Sequence, residues 1–180
     1  QDAVKIKALV DQKQIKSAAI IGAGFIGVEL AENLQHRGIE TTIVEFRENI
    51  LPQFDPEMIQ PMQQVLVENG VKLALSSETE EVLENSLRLK DGRIIPADLV
   101  VAAIGVVADS KLAVDAGLTI GSAGGILVDD QMQTSNKHVY AVGDAAEKTS
   151  FITGQNQMIW LANLANRHGR LVADVIAGES

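Results

Sequence analysis

Residues 17–30, Ser-Ala-Ala-Ile-Ile-Gly-Ala-Gly-Phe-Ile-Gly-Val-Glu-Leu, contain the pattern that decides the fold. Residues 17–21 are small or apolar and predict a short buried strand, and apolar side chains then recur at helical spacing from Phe25 to His36. Between these two segments, residues 22–27 have the order Gly-x-Gly-x-x-Gly. A second apolar strand is predicted over residues 41–46. Strand, glycine turn, helix and strand in this order predict a βαβ unit.

The three glycines and the end of the second strand predict a dinucleotide site. Gly22 permits a tight turn, Gly24 lets a pyrophosphate approach the backbone, and Gly27 lets helix and strand pack closely. Glu45 is placed to accept hydrogen bonds from an adenosine ribose, and it would repel a 2′-phosphate. NADH is therefore expected rather than NADPH, although Arg47 weakens this preference. The alternative is a glycine turn in an α/β domain that binds nothing.

Two further residues of the predicted helix are candidates for cofactor contact. Phe25 and Glu29 lie one helical turn apart and so share a face beside the phosphate loop. Ile26 belongs to the same loop and is also expected to contact the cofactor. The alternative is that Phe25 is a core residue and Glu29 a solvated charge.

Other elements follow on both sides of Gly105, where we place a domain boundary. Before it we predict a helix over 56–68 with Asp55 at the N-cap, and a strand over 71–75. An antiparallel meander is predicted over 80–83, 86–90 and 93–95, with its tightest turn at Asp91-Gly92. A buried strand over 99–104 follows. After it we predict short strands over 125–129 and 139–142, and a helix over 157–177 that ends at Gly178. The fold class is α/β: a Rossmann-type parallel sheet with a small antiparallel meander, then an incomplete second lobe.

Composition excludes several classes of partner. The 180 residues carry a formal net charge of -9, which disfavours nucleic acid and membrane surfaces as partners. The absence of cysteine excludes disulfides, thiolate metal sites and thiol catalysis within this chain. Its three histidines lie in unrelated segments, so no metal site is expected. No signal peptide is evident, and we expect a cytoplasmic protein.

Several motifs together resemble the pyridine nucleotide-disulfide oxidoreductases. The resemblance is closest to the group of coenzyme A-disulfide reductases, NADH oxidases and NADH peroxidases. It covers nearly the whole chain and rests on residues 20–31, 50–57, 102–105, 124–129, 134–135, 139–144 and 162–170.

The resemblance implies roles for individual residues. Phe25 would be an aromatic gate, which moves away when nicotinamide stacks on a flavin, and Glu29 would lie near the nicotinamide carboxamide. Gly105, Gly143 and Asp144 would be cofactor-binding, with Asp144 bonded to the flavin ribityl chain. The last helix would direct its N-terminus at the flavin ring. The alternative for Asp144 is a helix N-cap or a turn aspartate.

The implied reaction is hydride transfer from NADH to FAD, and on to a disulfide of the coenzyme A type, a peroxide or oxygen. Residues 1–105 would be the NAD(H)-binding domain, and residues 106–180 the C-terminal half of an FAD-binding domain. The first flavin half, the redox cysteine and the dimerisation domain would lie outside this chain, which alone would be inactive, and the intact parent would be a homodimer that holds FAD. Two alternatives remain: a stand-alone NADH-binding module or redox sensor, and a flavin reductase that feeds a protein partner.

Overall fold

The computed structural model describes residues 2–179, which form two compact units that divide between Gly105 and Val106. The elements of the first unit are helices α1 (Asp2–Asp11), α2 (Phe25–His36) and α3 (Pro56–Glu68), and strands β1 (Ser17–Ile21), β2 (Glu40–Val44), β3 (Lys72–Ala74), β4 (Thr79–Leu83), β5 (Ser86–Leu89), β6 (Ile94–Pro96) and β7 (Leu99–Ala102). The predicted α/β class, with a parallel sheet and an antiparallel meander, is confirmed. Among residues 2–179 no helix is long and apolar enough to cross a membrane.

The parallel sheet has the strand order β3-β2-β1-β7, and its central strand β1 is covered on both faces. On one face, Ala18 and Ile20 of β1 join a core that includes Ala31 of α2. On the other face, Ala19 packs in a cluster with Leu87 of the meander β4-β5-β6. Successive strand residues point to opposite faces, so a strand covered on both sides needs a continuous apolar run. This requirement explains why residues 17–21 are all small or apolar.

Asp98 ties the start of β1 to the start of β7. Its Oδ2 accepts hydrogen bonds from the backbone N–H of Lys16 (2.8 Å), the backbone N–H of Ser17 (3.0 Å) and the Ser17 hydroxyl (3.1 Å). These bonds stabilise the carboxylate, and they hold the pKa of Asp98 below its usual value. The central strand pair is therefore anchored at its amino end by a single side chain.

The second unit is built on short elements. They are α4 (Lys111–Asp115), β8 (Ile126–Leu127), a 3-10 helix (Gly143–Ala145), β9 (Ala146–Thr149), β10 (Asn156–Gln157) and α5 (Ala162–Ala177). Strand β9 pairs in parallel with β8 and antiparallel with β10. A small core that includes Val128 and Met132 packs against Leu171 and Val172 of α5.

Two predictions for the second unit are wrong. The segment 139–142 is not a strand, because its pairing is limited to a bridge between Tyr140 and Gln133. The last helix begins at Ala162 rather than at Gln157, because Gln157 pairs with Lys148 of β9 instead. The predicted helix end at Gly178 is confirmed by its left-handed backbone.

The first unit also differs from prediction in three details. The tightest hairpin turn is the two-residue connection Glu84-Asn85 between the paired residues Leu83 and Ser86, not Asp91-Gly92. Helix α1 was not predicted, and neither was α4 of the second unit. Asp55 does precede α3, but its side chain makes no capping hydrogen bond.

Candidate functional site: the glycine loop of the first unit and the Gly143 turn of the second

The first glycine of the loop is required by its surroundings. Gly22 has φ +101°, and a Cβ there would lie 2.5 Å from the carbonyl oxygen of Ala103, which follows β7. Its own N–H donates to the carbonyl of Val44 at 2.8 Å. Gly27, in the first turn of α2, packs against the Gly22 carbonyl so closely that an added Cβ would collide with it. These two glycines join the loop to the sheet.

Gly24 differs from Gly22 and Gly27, because a Cβ added to it would meet nothing within 4 Å. Its φ is -72°, which any residue adopts. It is the N-cap of α2, and no side chain caps this helix end. The backbone N–H groups of a first helical turn have no partners within the helix, and they carry the positive end of its dipole. The space above Gly24 is therefore open and suited to an anion.

Ala23, which lies between Gly22 and Gly24, is held in place by hydrogen bonds at both its N–H and its carbonyl. Its N–H donates to Oε2 of Glu45 at 2.8 Å, and its carbonyl accepts the N–H of Leu51 at 2.8 Å. Ala23 is fully buried, and Leu51 has a left-handed φ of +46°. Such a backbone conformation costs energy for a non-glycine residue and persists where surrounding contacts impose it. The loop is thus fixed without any ligand.

Glu45 lies under the loop rather than beside it. It is 5% exposed, and its Oε1 accepts the backbone N–H of Arg47 at 3.0 Å while Oε2 holds Ala23. Each carboxylate oxygen has a second acceptor position, so hydrogen bonds to a ribose are compatible with this arrangement. Arg47 is exposed, lies over the ring of Phe46 at 5.2 Å, and makes no ion pair within residues 2–179.

Phe25 lies at the mouth of a cleft between α2 and α3. It is 52% exposed, which is not the environment of a core residue, and its ring contacts Phe54 edge-on at 5.8 Å. Ile26 beside it is also exposed. The cleft has a volume of about 300 Å³ and is lined by apolar side chains and by the carboxylates of Glu29 and Glu32. Sequence reasoning did not foresee the contact with Phe54, because it depends on the position of α3.

In the second unit, Gly143 begins a turn that is held by α5. It has φ +67°, and its N–H donates to Nδ1 of His168 at 3.3 Å. Asp144 follows in the 3-10 helix and is exposed. The N-cap of this element is Val142, and no side chain caps it, so Asp144 is not an N-cap. Gly105, with φ +113°, follows β7 at the end of the first unit.

A second glycine loop, residues 121–125, was not recognised as a unit from the sequence. Glu147 of β9 is fully buried beneath it. Its Oε2 accepts the N–H groups of Ala123 (3.0 Å) and Gly125 (3.1 Å). A Cβ at Gly121 would collide with this carboxylate. The sequence carries no local signal for this arrangement, because β9 is the mostly polar run Ala-Glu-Lys-Thr and lies more than 20 residues after the loop.

Predicted site residues therefore fall into two groups. Gly22, Gly24, Phe25, Ile26, Gly27, Glu29 and Glu45 belong to the first unit, where the glycine loop brings them together. Gly105 also belongs to the first unit, at its end, whereas Gly143 and Asp144 belong to the second unit. Within residues 2–179, no group of three or more His, Asp or Glu side chains could hold a metal ion.

Residues 2–169 match the family described as pyridine nucleotide-disulphide oxidoreductase. The chain belongs to this family. It is 35% identical over 182 residues to an NADH oxidase of Methanocaldococcus jannaschii, and 35% identical over 183 residues to a CoA-dependent NAD(P)H sulfur oxidoreductase of Pyrococcus furiosus. These matches cover 99% of this chain and 40% and 41% of the two relatives, so the chain spans about two fifths of their length. Reduced CoADR-RHD of Bacillus anthracis superposes with a TM-score of 0.93 at 42% identity, over 99% of this chain and 32% of that one.

Two further similarities concern cofactor and acceptor. An engineered NADPH oxidase bound to NADPH, made from the NADH oxidase of Lactobacillus brevis, superposes with a TM-score of 0.83 at 29% identity, over 93% of this chain and 38% of that one. A nitric oxide reductase FlRd-NAD(+) reductase of Vibrio vulnificus is 41% identical over 133 residues, which is 71% of this chain and 34% of that protein.

Proposed function

We propose that this chain is the NADH-binding portion of a flavin-dependent oxidoreductase that passes hydride from NADH to FAD. The observation that carries the proposal is the open, uncapped start of α2 at Gly24, above a loop that Glu45 and Leu51 already hold in place. A preformed loop loses little conformational freedom when it binds a ligand, so more of the contact energy appears as affinity.

Each element of the loop would then have a role in binding. The N–H groups at the start of α2 would receive the pyrophosphate, and Glu45 would accept the ribose hydroxyls. Phe25 and Glu29, at the cleft, would form the gate and the nicotinamide contact. When bound, the two cofactors supply the hydride chemistry, while this chain binds and orients them.

A preference for NADH over NADPH is part of the proposal. In the engineered NADPH oxidase, an aspartate and the two residues after it are replaced, together with a glycine 18 positions before the aspartate and a proline seven after it. Gly27 and Pro52 stand at the same intervals from Glu45 in this chain. These intervals favour Glu45 as the residue that selects the cofactor. Arg47, two positions on, adds a cation that would tolerate a 2′-phosphate.

The second unit would complete a flavin site in the intact protein. Gly143 and Asp144 of this unit would contact FAD, with the Asp144 carboxylate accepting a ribityl hydroxyl. Gly105, at the end of the first unit, would be a further cofactor-binding residue. The names of the relatives favour a small-molecule acceptor, and the CoA-dependent sulfur oxidoreductase favours a disulfide of the coenzyme A type. A homodimeric parent and a cytoplasmic location belong to the same proposal, with no nucleic acid or membrane partner.

The test is titration of this chain with NADH by calorimetry. Gly24→Val should abolish saturable binding without loss of fold, because the added side chain occupies the open space over the loop, where its Cβ meets no protein atom within 4 Å. Gly169→Val is the matched control, since Gly169 is also open and lies in the other unit. Equal NADH affinity in the two variants would refute the loop as the binding site.

Comparison of NADH with NADPH on the same variants tests the selectivity. The wild type should prefer NADH, Glu45→Ala should lose that preference, and Arg47→Ala should weaken NADPH alone. A wild type that prefers NADPH would transfer the selecting role from Glu45 to Arg47.

A flavin reductase that feeds a protein partner is the second candidate. The similarity to the reductase of Vibrio vulnificus favours it. Reduction of a protein acceptor by the complete flavoprotein, with no turnover of coenzyme A disulfide, would favour this candidate over the first.

A further inference from the structure

His168 is a buried histidine to which neither the sequence nor the proposed function gives a role. It lies on α5 and is 7% exposed. Its Nδ1 is 3.3 Å from the backbone N of Gly143, which lies 25 residues earlier in the chain. A buried ring that bonds across such a sequence distance fixes two elements relative to each other.

The geometry around Gly143 permits little adjustment. Gly143 has a left-handed φ of +67°, and a Cβ there would lie 3.3 Å from the Cβ of Ala165, one turn before His168 on α5. One face of α5 thus presents both the close contact and the hydrogen-bond acceptor to the turn. The 3-10 helix that starts at Gly143 has no side-chain cap. The direction of its first N–H therefore depends on His168.

We infer that His168 is a positioning residue, which accepts the Gly143 N–H and thereby sets the turn that presents Asp144. The inference rests on the proposed function in one respect, namely that Asp144 serves the flavin. An acceptor at Nδ1 requires the neutral imidazole with its proton on Nε2. Protonation at Nδ1 would place a donor against a donor, and the bond would be lost.

Charge and burial both keep the ring neutral. Burial lowers the pKa of His168, and the positive charge of Lys148 on β9 lowers it further. The other charged residues nearest in sequence to this contact are Asp144 in the turn and Arg167 on α5. The bond is therefore present at neutral pH, and it is lost as the pH falls through the lowered pKa.

Two substitutions separate the bond from the volume of the ring. His168→Asn places an amide oxygen close to the position of Nδ1 and does not titrate, whereas His168→Leu fills the space without an acceptor. In the wild-type chain, the Gly143 amide should be protected from hydrogen exchange at neutral pH and lose protection on acidification. The His168→Asn protein should keep the protection at every pH. In the His168→Leu protein, the protection factor of the Gly143 amide should fall roughly tenfold, the equivalent of one hydrogen bond.

Nitrogen chemical shifts of the wild-type imidazole give a measurement that needs no variant. An unprotonated Nε2, or a Gly143 amide that stays protected in His168→Leu, would overturn the inference. NADH binding in the first unit should be equal in all three proteins, and equal protection of the other α5 amides serves as the control for folding of the second unit.

Retention of FAD by the complete flavoprotein then separates this inference from the proposed function. We expect His168→Leu to weaken it and His168→Asn to restore it. If the amide protection changes as expected but FAD retention does not, His168 still positions the turn, and the flavin role of Asp144 is wrong.

Discussion

Two glycine-rich loops of this chain, residues 22–27 and residues 121–125, are each hydrogen-bonded to a buried glutamate. The space beside a glycine of the first loop is open, whereas the corresponding space in the second loop is filled. Glu45 holds Ala23 in the loop 22–27, and Glu147 holds Ala123 and Gly125 in the loop 121–125. The space over Gly24 is empty, whereas the space beside Gly121 is occupied by the carboxylate of Glu147. In the second loop, the protein supplies its own anion to the backbone N–H groups.

The comparison shows that glycine content alone does not indicate a ligand site. Successive backbone N–H groups in a tight loop attract an anion from any source, including a side chain of the same chain. What distinguishes the loop 22–27 is that its supporting carboxylate leaves the space over Gly24 and the uncapped start of α2 unoccupied.

We expect the largest difference in stability between the two loops when one glycine of each, Gly121 or Gly24, is replaced by alanine. Gly121→Ala places a Cβ against the buried carboxylate of Glu147, which cannot move without losing its backbone partners. We expect it to lower the free energy of unfolding of the second unit by about 1–3 kcal/mol. Gly24→Ala should change stability by less than about 1 kcal/mol, the difference between glycine and alanine at an N-cap.

Urea denaturation of the two variants measures this difference. If Gly24→Ala is as destabilising as Gly121→Ala, the space over Gly24 is not free, and the contrast between an open and a filled loop fails.

Replacing each of the two glutamates by glutamine should give a smaller difference in stability. The donors of Glu45 are divided between its two oxygens, so Glu45→Gln must lose one of them, and we expect a loss of about 1–2 kcal/mol. Both backbone donors of Glu147 reach Oε2, and the Ala123 N–H (3.2 Å) and the Ser122 hydroxyl (3.5 Å) also lie within reach of Oε1. The oxygen of a glutamine can keep both backbone bonds at the Oε2 position, and the Ser122 hydroxyl can turn to accept from its amide NH2. Glu147→Gln should therefore cost less than about 1 kcal/mol.

Thermal unfolding of both glutamine variants tests the order of these effects. A larger loss for Glu147→Gln would mean that the negative charge, rather than the placement of the acceptors, supports the filled loop.

How much the sequence predicts also differs between the two loops. Strand β1 and helix α2 were predicted to the residue, because their signals are local: a short apolar run, a glycine turn and helical spacing. The engagement of Glu45 with Ala23 could not be predicted, since it depends on how the loop after β2 returns to the glycine turn. Glu147 is a similar case, because its partners Ala123 and Gly125 lie 24 and 22 residues earlier in the chain.

The same limit explains the wrong start of the last helix. Residues 157–161 contain apolar side chains that suit an amphipathic helix as well as an extended segment. Pairing between Gln157 and Lys148 decides the outcome, and local propensity carries no information about a pairing partner.

The smallest expected effect is a difference in acid sensitivity between the two units. His168 has a lowered pKa, so the second unit should begin to lose stability as the pH falls below the ordinary histidine value of 6.5. Asp98 also has a lowered pKa, so its contribution to the first unit should persist until the pH falls below the ordinary aspartate value of 3.8. Amide exchange followed residue by residue against pH measures both windows.

Substitutions of the two groups serve as controls. His168→Asn should remove the pH dependence near Gly143 and leave that near Ser17, and Asp98→Asn should do the reverse. Simultaneous loss of protection in both units at one pH would contradict the assignment of separate groups.

The pairing of β1 with β7 has a consequence for the synthesis of this chain. Ala18 pairs with Leu99, and Ser17 depends on Asp98 for its hydrogen bonds, so the middle of the sheet joins segments 81 residues apart. While the chain is being made, β1 can meet β2 early, but its other edge stays exposed until residues 99–102 have left the ribosome. Contacts of this range are slow to form, and an unpaired strand edge attracts other chains in the meantime. A ribosome stalled before residue 98 would therefore display an unfinished sheet with an open central strand.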